Sequence, residues 1–185
     1  MQSLKEQYLK TAIPALREAF GLKNQHQVPR VLKVVVNAGV GRHIKEAEYA
    51  DKVSAMLARI TGQKPSPRAA RKSIAGFKMR AGQIVGLSVT LRGNRMYDFL
   101  ERLTRLVFPR MRDFRGITDK GFDGRGNFAL GMTEVAAFPE AKPEDIELGQ
   151  GIQIIVATDA KNNEKGKALL TAIGFPFITG KSPLK

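Results

Sequence analysis

A long basic segment is the first feature of this chain that could do chemistry. From Lys52 to Tyr97 there is no Asp or Glu, and the segment carries ten Lys and Arg residues. Such side chains bind phosphate oxygens, and a cluster of them is typical of proteins that bind nucleic acids. A solvated charged surface is the alternative, although a mixture of both signs would be more typical of one. The ten residues are Lys52, Arg59, Lys64, Arg68, Arg71, Lys72, Lys78, Arg80, Arg92 and Arg95.

The whole chain shares this bias. Its 185 residues hold 31 Lys and Arg against 17 Asp and Glu, so the formal net charge is +14 and the pI is about 10.3. Because such a charge opposes compaction by self-repulsion, we expect a polyanionic partner. Near the far end the sign reverses, which suggests a second, different partner. The acidic residues there are Glu134, Glu140, Glu144, Asp145 and Glu147, with Lys142 as the one nearby cation.

Composition excludes several classes of protein. The chain has no Cys, which excludes a disulfide scaffold, a zinc site built on Cys and a thiol nucleophile. His26 and His43 are its two histidines, so we expect no metal and no cofactor. No apolar run approaches the roughly 20 residues of a membrane span, and the N-terminus lacks the apolar region of a signal peptide. We expect a soluble, intracellular protein with no membrane partner.

The residue patterns favour no catalytic site. Gly174–Ser182 looks like a phosphate-binding loop, but it has one residue too many between its glycines. Gly39 and Gly41 alone are a weak dinucleotide signal, since tight turns also need glycine. Ser73 lies among cations without a general base. The chain is therefore predicted not to be an enzyme, and an enzyme acting on RNA remains one alternative.

The elements that must position these residues follow from periodicity. We predict helices over 3–20, with a kink at Pro14, and over 47–61, 94–107 and 161–173. We predict strands over 31–38, 84–92, 127–138 and 151–158. Between them lie a basic stretch at 64–82, which we interpret as a long hairpin or an exposed loop, a loop at 110–126 and an acidic loop at 139–149. This order predicts an α+β fold, in which a single mainly antiparallel sheet has helices packed on one face and a long basic hairpin.

One face of the predicted sheet is polar in every strand. Alternation puts Asn37, Ser88 and Thr90 opposite the apolar side chains, together with small residues such as Gly86 and Gly131. Simple solvent exposure also gives a polar face, but small residues leave a flat surface that the minor groove of RNA can approach closely. Since none of these positions is aromatic, the face differs from an RNA-recognition motif, which stacks bases on aromatic rings.

Seven motifs, taken in order, resemble the 5S rRNA-binding family of bacterial large-subunit ribosomal proteins, protein five of that subunit. The resemblance covers about residues 1–177. The motifs are VVVNAGVG at Val34–Gly41, ITGQKP at Ile60–Pro65, RKSIAGFK at Arg71–Lys78, VTLRGNRM at Val89–Met96, PRMRDFRG at Pro109–Gly116, FDGRGNFALG at Phe122–Gly131 and GFPF at Gly174–Phe177.

The resemblance implies a structural protein of the central protuberance. Its implied partners are 5S rRNA, large-subunit rRNA, neighbouring ribosomal proteins, the P-site tRNA and a protein of the small-subunit head, the last through an intersubunit bridge. It also implies one domain over 1–177 and a basic C-terminal extension over 178–185. A free RNA-binding regulator or RNA chaperone outside the ribosome is the other alternative.

Site residues follow from the polar face, the charge and the resemblance together. For rRNA we predict Lys33, Asn37, Gln63, Lys64, Thr90 and Arg92, in which the neutral side chains hydrogen-bond sugars or base edges and the cations neutralise phosphates. For tRNA we predict Arg71, Lys72, Ser73, Phe77, Lys78 and Arg80. Phe77 could instead be a core residue of the hairpin. For the small-subunit contact we predict Arg112, Asp113, Phe114 and Arg115 with the acidic 139–149 loop, or else an internal Asp–Arg pair that holds the turn.

The basic stretch departs from the family at two positions. Arg68 and Ala69 stand where the family usually has a Thr-Arg pair, and Ser66 replaces an apolar residue. These changes move the basic charge by one position just before the hairpin.

Overall fold

The structure is a computed structural model that describes residues 3–43, 46–77, 79–112 and 114–178. Its α-helices are Leu4–Gln7, Ile13–Ala19, Ala47–Thr61, Gly93–Arg102, Phe108–Arg110, Pro143–Glu147 and Asn163–Ile173. Its π-helical turns are Tyr8–Ala12 and Leu103–Val107. Its 3-10 turns are Gln25–Gln27, Gly41–His43, Ala75–Phe77, Asp119–Gly121 and Val135–Ala137. No helix within the described ranges is long and apolar enough to cross a membrane.

Five strands form a single sheet. They are β1 (Val31–Gly39), β2 (Ser66–Ala69), β3 (Ile84–Leu91), β4 (Phe128–Met132) and β5 (Ile152–Thr158), in the spatial order β2-β3-β1-β5-β4.

The strand pairs whose ends can be traced run antiparallel. β2 pairs antiparallel with β3. The N–H of Val40, just after β1, donates to the carbonyl of Val85 near the start of β3, with an N–O distance of 3.0 Å. The N–H of Asp159, just after β5, donates to the carbonyl of Arg30, just before β1, at 3.2 Å. The predicted α+β class with a mainly antiparallel sheet is confirmed.

Two helices accommodate a proline by widening one turn. The N–H of Ile13 donates to the carbonyl of Tyr8, five residues back, and Pro14 follows. The N–H of Phe108 likewise donates to the carbonyl of Leu103, and Pro109 follows. Since proline has no N–H and its ring clashes with the preceding turn, a π turn lets the helix continue around it. The helix expected over 3–20 is therefore widened at the proline.

The same π turns correct two burial predictions. Helical spacing predicts Leu9 and Leu106 on the buried faces of their helices, yet they are 51% and 47% exposed. Both lie inside a π turn, where the extra residue per turn rotates the side chains away from the apolar stripe. Strand alternation predicts that Leu32 faces inward with Val34 and Val36, yet Leu32 is exposed while its neighbour Val31 is buried.

Most other boundaries agree with the sequence within two residues. The helix Ala47–Thr61 has the predicted bounds, and Gly62 ends it with a φ of 68°. The strand expected over 127–138 is shorter, because the chain turns through Val135–Ala137 and buries Val135 and Phe138. The acidic 139–149 segment contains the unpredicted short helix Pro143–Glu147. Proline at the first position of that helix, with Asp145 accepting from the N–H of Lys142, was the available signal.

The chain divides into two compact units. The first unit comprises the described residues of 1–34, 92–130 and 155–185, and the second comprises those of 35–91 and 131–154. Strands β1, β4 and β5 contribute residues to both units. The single domain over 1–177 stays a prediction, and 179–185 of the expected extension lie outside the described residues.

Each unit has its own apolar core. In the first, a cluster of phenylalanines surrounds Phe128, whose ring lies 5.3 Å from that of Phe177 and 6.3 Å from that of Phe175. In the second, Val53, Met56 and Ile60 of the helix Ala47–Thr61 are fully buried, and this helix packs on β3. These cores fix the strands whose opposite side chains form the candidate site.

Candidate nucleic-acid interface

The centre of the candidate site is a polar surface on β1, β2 and β3 in the second unit. In the β2–β3 register Arg68 stands opposite Gly86 and Ser66 opposite Ser88. The Nε of Arg68 donates to the Oγ of Ser88 at 2.8 Å, so both side chains point to the same side of the sheet. We call the side chains of Asn37, Arg68, Gly86, Ser88 and Thr90 the polar face.

Gly86 keeps the polar face flat at its middle. A Cβ built on it would lie 3.4 Å from the carbonyl oxygen of Ala38, 3.9 Å from Oδ1 of Asn37 and 4.0 Å from the Cβ of Arg68. Asn37 and Arg68 therefore flank the space above Gly86. Gly86 is itself buried, so it adds no bulk between the side chains of Asn37 and Arg68.

Gln63 is held beside the polar face by local hydrogen bonds. It follows Gly62, which ends the helix, and its Nε2 donates to the carbonyl of Thr90 at 3.3 Å. The hydroxyl of Thr61 donates to the carbonyl of Leu57 at 2.7 Å and accepts from the N–H of Gln63 at 3.4 Å. The amide of Gln63 is thus oriented before any ligand binds. Lys64, the next residue, is exposed.

The structure brings together only part of the predicted rRNA set. Asn37, Gln63, Lys64 and Thr90 belong to the second unit, whereas Lys33 and Arg92 belong to the first. Lys33 is half-buried on β1, and Arg92 is exposed at the start of the helix Gly93–Arg102. Arg68 and Ser88 were not among the predicted site residues. Arg68 belongs to the basic segment, and Ser88 belongs to the polar alternation of β3. Only the β2–β3 register shows that the two side chains meet.

The connection between β2 and β3, residues 70–83, forms an exposed arm. Its base is closed by the N–H of Ala70 donating to Gln83 at 2.8 Å, and its outer part by two hydrogen bonds between Ile74 and Met79 at 3.0 and 3.2 Å. The hydroxyl of Ser73 accepts from the N–H of Ala81 at 2.9 Å. Regular strand pairing covers Ser66–Ala69, and further out an isolated antiparallel bridge joins Ile74 and Met79, so the long basic hairpin stays a prediction.

The side chains of the arm point into solvent. Arg71, Lys72 and Arg80 are exposed, and Phe77 is 73% exposed, so it is not a core residue of the hairpin. Lys78 lies outside the described residues. The arm therefore presents three described cations and one free aromatic ring.

Ion pairs engage two of the ten cations in the basic segment, one through a tertiary contact and one within a helix. The Nη2 of Arg59 donates to both carboxylate oxygens of Asp145, at 2.5 and 2.6 Å, and Lys52 pairs with Glu48 at 3.5 Å. Asp145 is only 3% exposed. The carboxylate of Asp145 is therefore paired with Arg59 in the interior. The acidic 139–149 loop consequently carries less surface charge than the sequence indicates.

The remaining described cations of this segment make no ion pair with any residue that the structure describes, so they stay available to an external polyanion. They are Lys64, Arg68, Arg71, Lys72, Arg80, Arg92 and Arg95.

The predicted small-subunit turn lies in the first unit. Arg112 and Arg115 are exposed, while the ring of Phe114 stacks on that of Phe108 at 5.4 Å. The N–H of Ile117 donates to Pro176 at 2.8 Å, which fixes the chain just after the turn. Asp113 lies outside the described residues, so the alternative of an internal Asp–Arg pair stays a prediction.

Comparison with known proteins decides the family. Residues 24–80 match the model of ribosomal protein L5, and residues 84–177 match the model of the C-terminus of the same ribosomal family. The chain belongs to the ribosomal protein L5 family. It is 50% identical over 176 residues to the large ribosomal subunit protein uL5 of Microcystis aeruginosa, covering 95% of this chain and 98% of that one. It is 46% identical over 177 residues to the protein of the same name from Thermotoga maritima, covering 96% of each.

Membership of this family establishes the general role. The protein is a non-enzymatic structural constituent of the large ribosomal subunit, and its place is in the cytoplasmic ribosome. The resemblance drawn from the seven motifs is confirmed, and the expectation of an RNA partner agrees with it.

Proposed function

We propose that this ribosomal protein binds 5S rRNA through the polar face and so helps attach it in the central protuberance. The observation that carries the proposal is the flat surface around Gly86, flanked by Asn37 and Arg68 and extended by Thr90 and Gln63. Small residues and oriented amides suit the shallow minor groove of RNA, where 2′-hydroxyls and base edges are displayed. Lys33, Lys64 and Arg92 are proposed to neutralise phosphates of the same RNA.

We also propose a separate role for the arm. Arg71, Lys72 and Arg80 extend beyond the regular β2–β3 pairing, together with Ser73 and Phe77. With Lys78, these residues are proposed to contact the P-site tRNA while the polar face holds 5S rRNA. Arg112, Asp113, Phe114 and Arg115, with the acidic 139–149 loop, are proposed to contact a protein of the small-subunit head.

The test of the 5S proposal measures the affinity of the full chain for 5S rRNA by filter binding, with an unrelated RNA of equal length as reference. Asn37→Ala and Thr90→Ala should each weaken 5S binding by about 0.5–1.5 kcal/mol, because each removes a neutral hydrogen bond at the interface. Thermal stability should stay unchanged. Wild-type affinity in both variants would show that the polar face is not the 5S site.

The test of the arm reverses its charge with Lys72→Glu and Arg80→Glu together. The isolated variant should keep its affinity for 5S rRNA, and ribosomes containing it should retain less P-site tRNA. Loss of 5S affinity with normal tRNA occupancy would assign the arm to 5S rRNA instead.

A further inference from the structure

A second concave surface lies within the second unit, and it shares only Phe77 and the end of the 139–149 loop with the contacts proposed above. It is an open cleft of about 1000 Å³ next to the arm. Its lining includes Gly39 at the end of β1 and Gly41, Arg42 and His43 of the following 3-10 turn. Tyr49 also lines it, as does Phe77 of the arm. The volume is at the upper end of the roughly 300–1,000 Å³ typical of ligand clefts.

Among the residues that the structure describes, no contact or backbone conformation requires glycine at two positions of the cleft. Neither Gly39 nor Gly41 has a left-handed φ. A Cβ on Gly39 would meet nothing within 4 Å, and one on Gly41 would lie 3.7 Å from the carbonyl oxygen of Val85, an ordinary contact. Glycine weakens a strand, so its use here is explained if a ligand approaches the backbone closely. Any side chain at Gly39 would instead project into the cleft.

Aromatic rings stand at the wall of the cleft. The ring of His43 stacks on that of Tyr49, with centroids 4.1 Å apart and planes inclined by 19°. Tyr49 is buried and donates to Oε1 of Gln150 at 3.0 Å, which fixes the stack. Phe77 also lines the cleft, with most of its ring exposed. Exposed aromatic faces of this kind bind unpaired nucleobases by stacking.

The charge around the cleft favours a nucleic acid over an acidic or neutral peptide. Arg42 is exposed at the cleft, and Arg71, Lys72 and Arg80 are exposed on the adjoining arm. One carboxylate, that of Glu46, lies beside the cleft, with its Oε1 3.2 Å from Nδ1 of His43. Asn37 of the polar face lies two residues before Gly39 on the same strand, so the cleft continues the surface that we assign to RNA.

We infer that this cleft takes one unpaired nucleobase of RNA, which lies on the glycine floor, stacks on the exposed ring of Phe77 or on the outer face of His43, and places a neighbouring phosphate near Arg42. This inference rests on the proposed RNA-binding function and adds to it a site for single-stranded RNA apart from the polar face.

The test uses a fluorescein-labelled uridine hexaribonucleotide with one central adenosine, titrated with the full chain and followed by anisotropy. Phe77→Ala and Gly39→Val should each weaken hexamer binding roughly tenfold or more, as expected for the loss of one stacked base. Ile74→Ala, a matched control, removes an exposed apolar side chain of the arm outside the cleft lining and should leave the affinity within about twofold. Both cleft variants should keep 5S rRNA affinity and thermal stability.

Parallel titrations with 5S rRNA separate the two ideas. Wild-type protein that fails to bind 5S rRNA would contradict the proposed function. Wild-type protein that binds 5S rRNA but not the hexamer, or cleft variants that bind the hexamer normally, would overturn the cleft site alone. Tighter binding of an acidic hexapeptide with one central tyrosine, lost in the same variants, would assign the cleft to a protein partner and overturn the inference.

Discussion

The role of the polar face in 5S rRNA binding can be tested with one substitution, which makes the face uneven and leaves every charged residue in place. In Gly86→Val the new side chain would rise from the middle of the face. Its Cβ would meet the carbonyl of Ala38 at 3.4 Å and Oδ1 of Asn37 at 3.9 Å, which are ordinary contacts. Valine also suits a strand better than glycine does. We therefore expect the fold to survive.

The expected loss of 5S rRNA affinity can be worked out from the contacts that the valine displaces. A branched side chain above residue 86 holds the RNA away from Asn37 and from Thr90 further along β3. Two neutral hydrogen bonds of about 0.5–1.5 kcal/mol each give about 1–3 kcal/mol. That corresponds to a fall in affinity of roughly 5- to 150-fold.

The assay compares 5S rRNA binding by Gly86→Val with that by Gly131→Val. Gly131 is a strand glycine on the outermost strand β4, outside the five residues that define the polar face. Its φ is not left-handed, and a Cβ there would meet nothing within 4 Å among the described residues. The control should bind 5S rRNA almost as wild type does. Equal losses in both variants, or wild-type affinity in Gly86→Val with unchanged stability, would refute our reasoning about the polar face.

Four further outcomes are expected. If about six phosphates are neutralised, a salt titration of 5S binding should give a log–log slope of roughly −4 to −5, and a slope near zero would contradict the charge argument. Gly166→Ala should lower the unfolding free energy in urea by about 1–3 kcal/mol, because its Cβ would lie 2.5 Å from the carbonyl oxygen of Gly126; an unchanged midpoint would contradict this contact. Asp145→Ala should cost about 2–4 kcal/mol in the same assay while 5S affinity stays normal, since it leaves Arg59 unpaired. Burial raises the pKa of Tyr8 from 10.0 to about 12, so its stabilising contribution is complete below pH 10 and is lost as the pH rises toward 12. The urea midpoints of wild type and Tyr8→Phe should converge as the pH rises over that range. A constant difference between the two midpoints would contradict the raised pKa of Tyr8.

Local pattern was enough to predict much of the fold. The spacing of Val53, Met56, Leu57 and Ile60, with Gly62 after them, gave the bounds of the helix Ala47–Thr61, because helix periodicity and a left-handed end residue are properties of a few neighbouring residues. The alternation in β1 and β3 separated the polar from the apolar side chains for the same reason. Prolines at 14 and 109 signalled disturbed helices, although not the π turns that carry Leu9 and Leu106 outward.

The order of amino acids alone established the basic charge, the polar alternation and the motif order, and with them the family and the kind of partner. The tertiary structure decided which of those charged and polar groups remain available to bind a partner. Arg59 is neutralised by Asp145, 86 positions along the chain, and Arg68 meets Ser88 only through the β2–β3 register. The cleft gathers the end of β1 and the arm around glycines that looked like turn residues. Periodicity reports neighbours a few residues apart, whereas these contacts join distant segments whose pairing the packing of the whole chain selects.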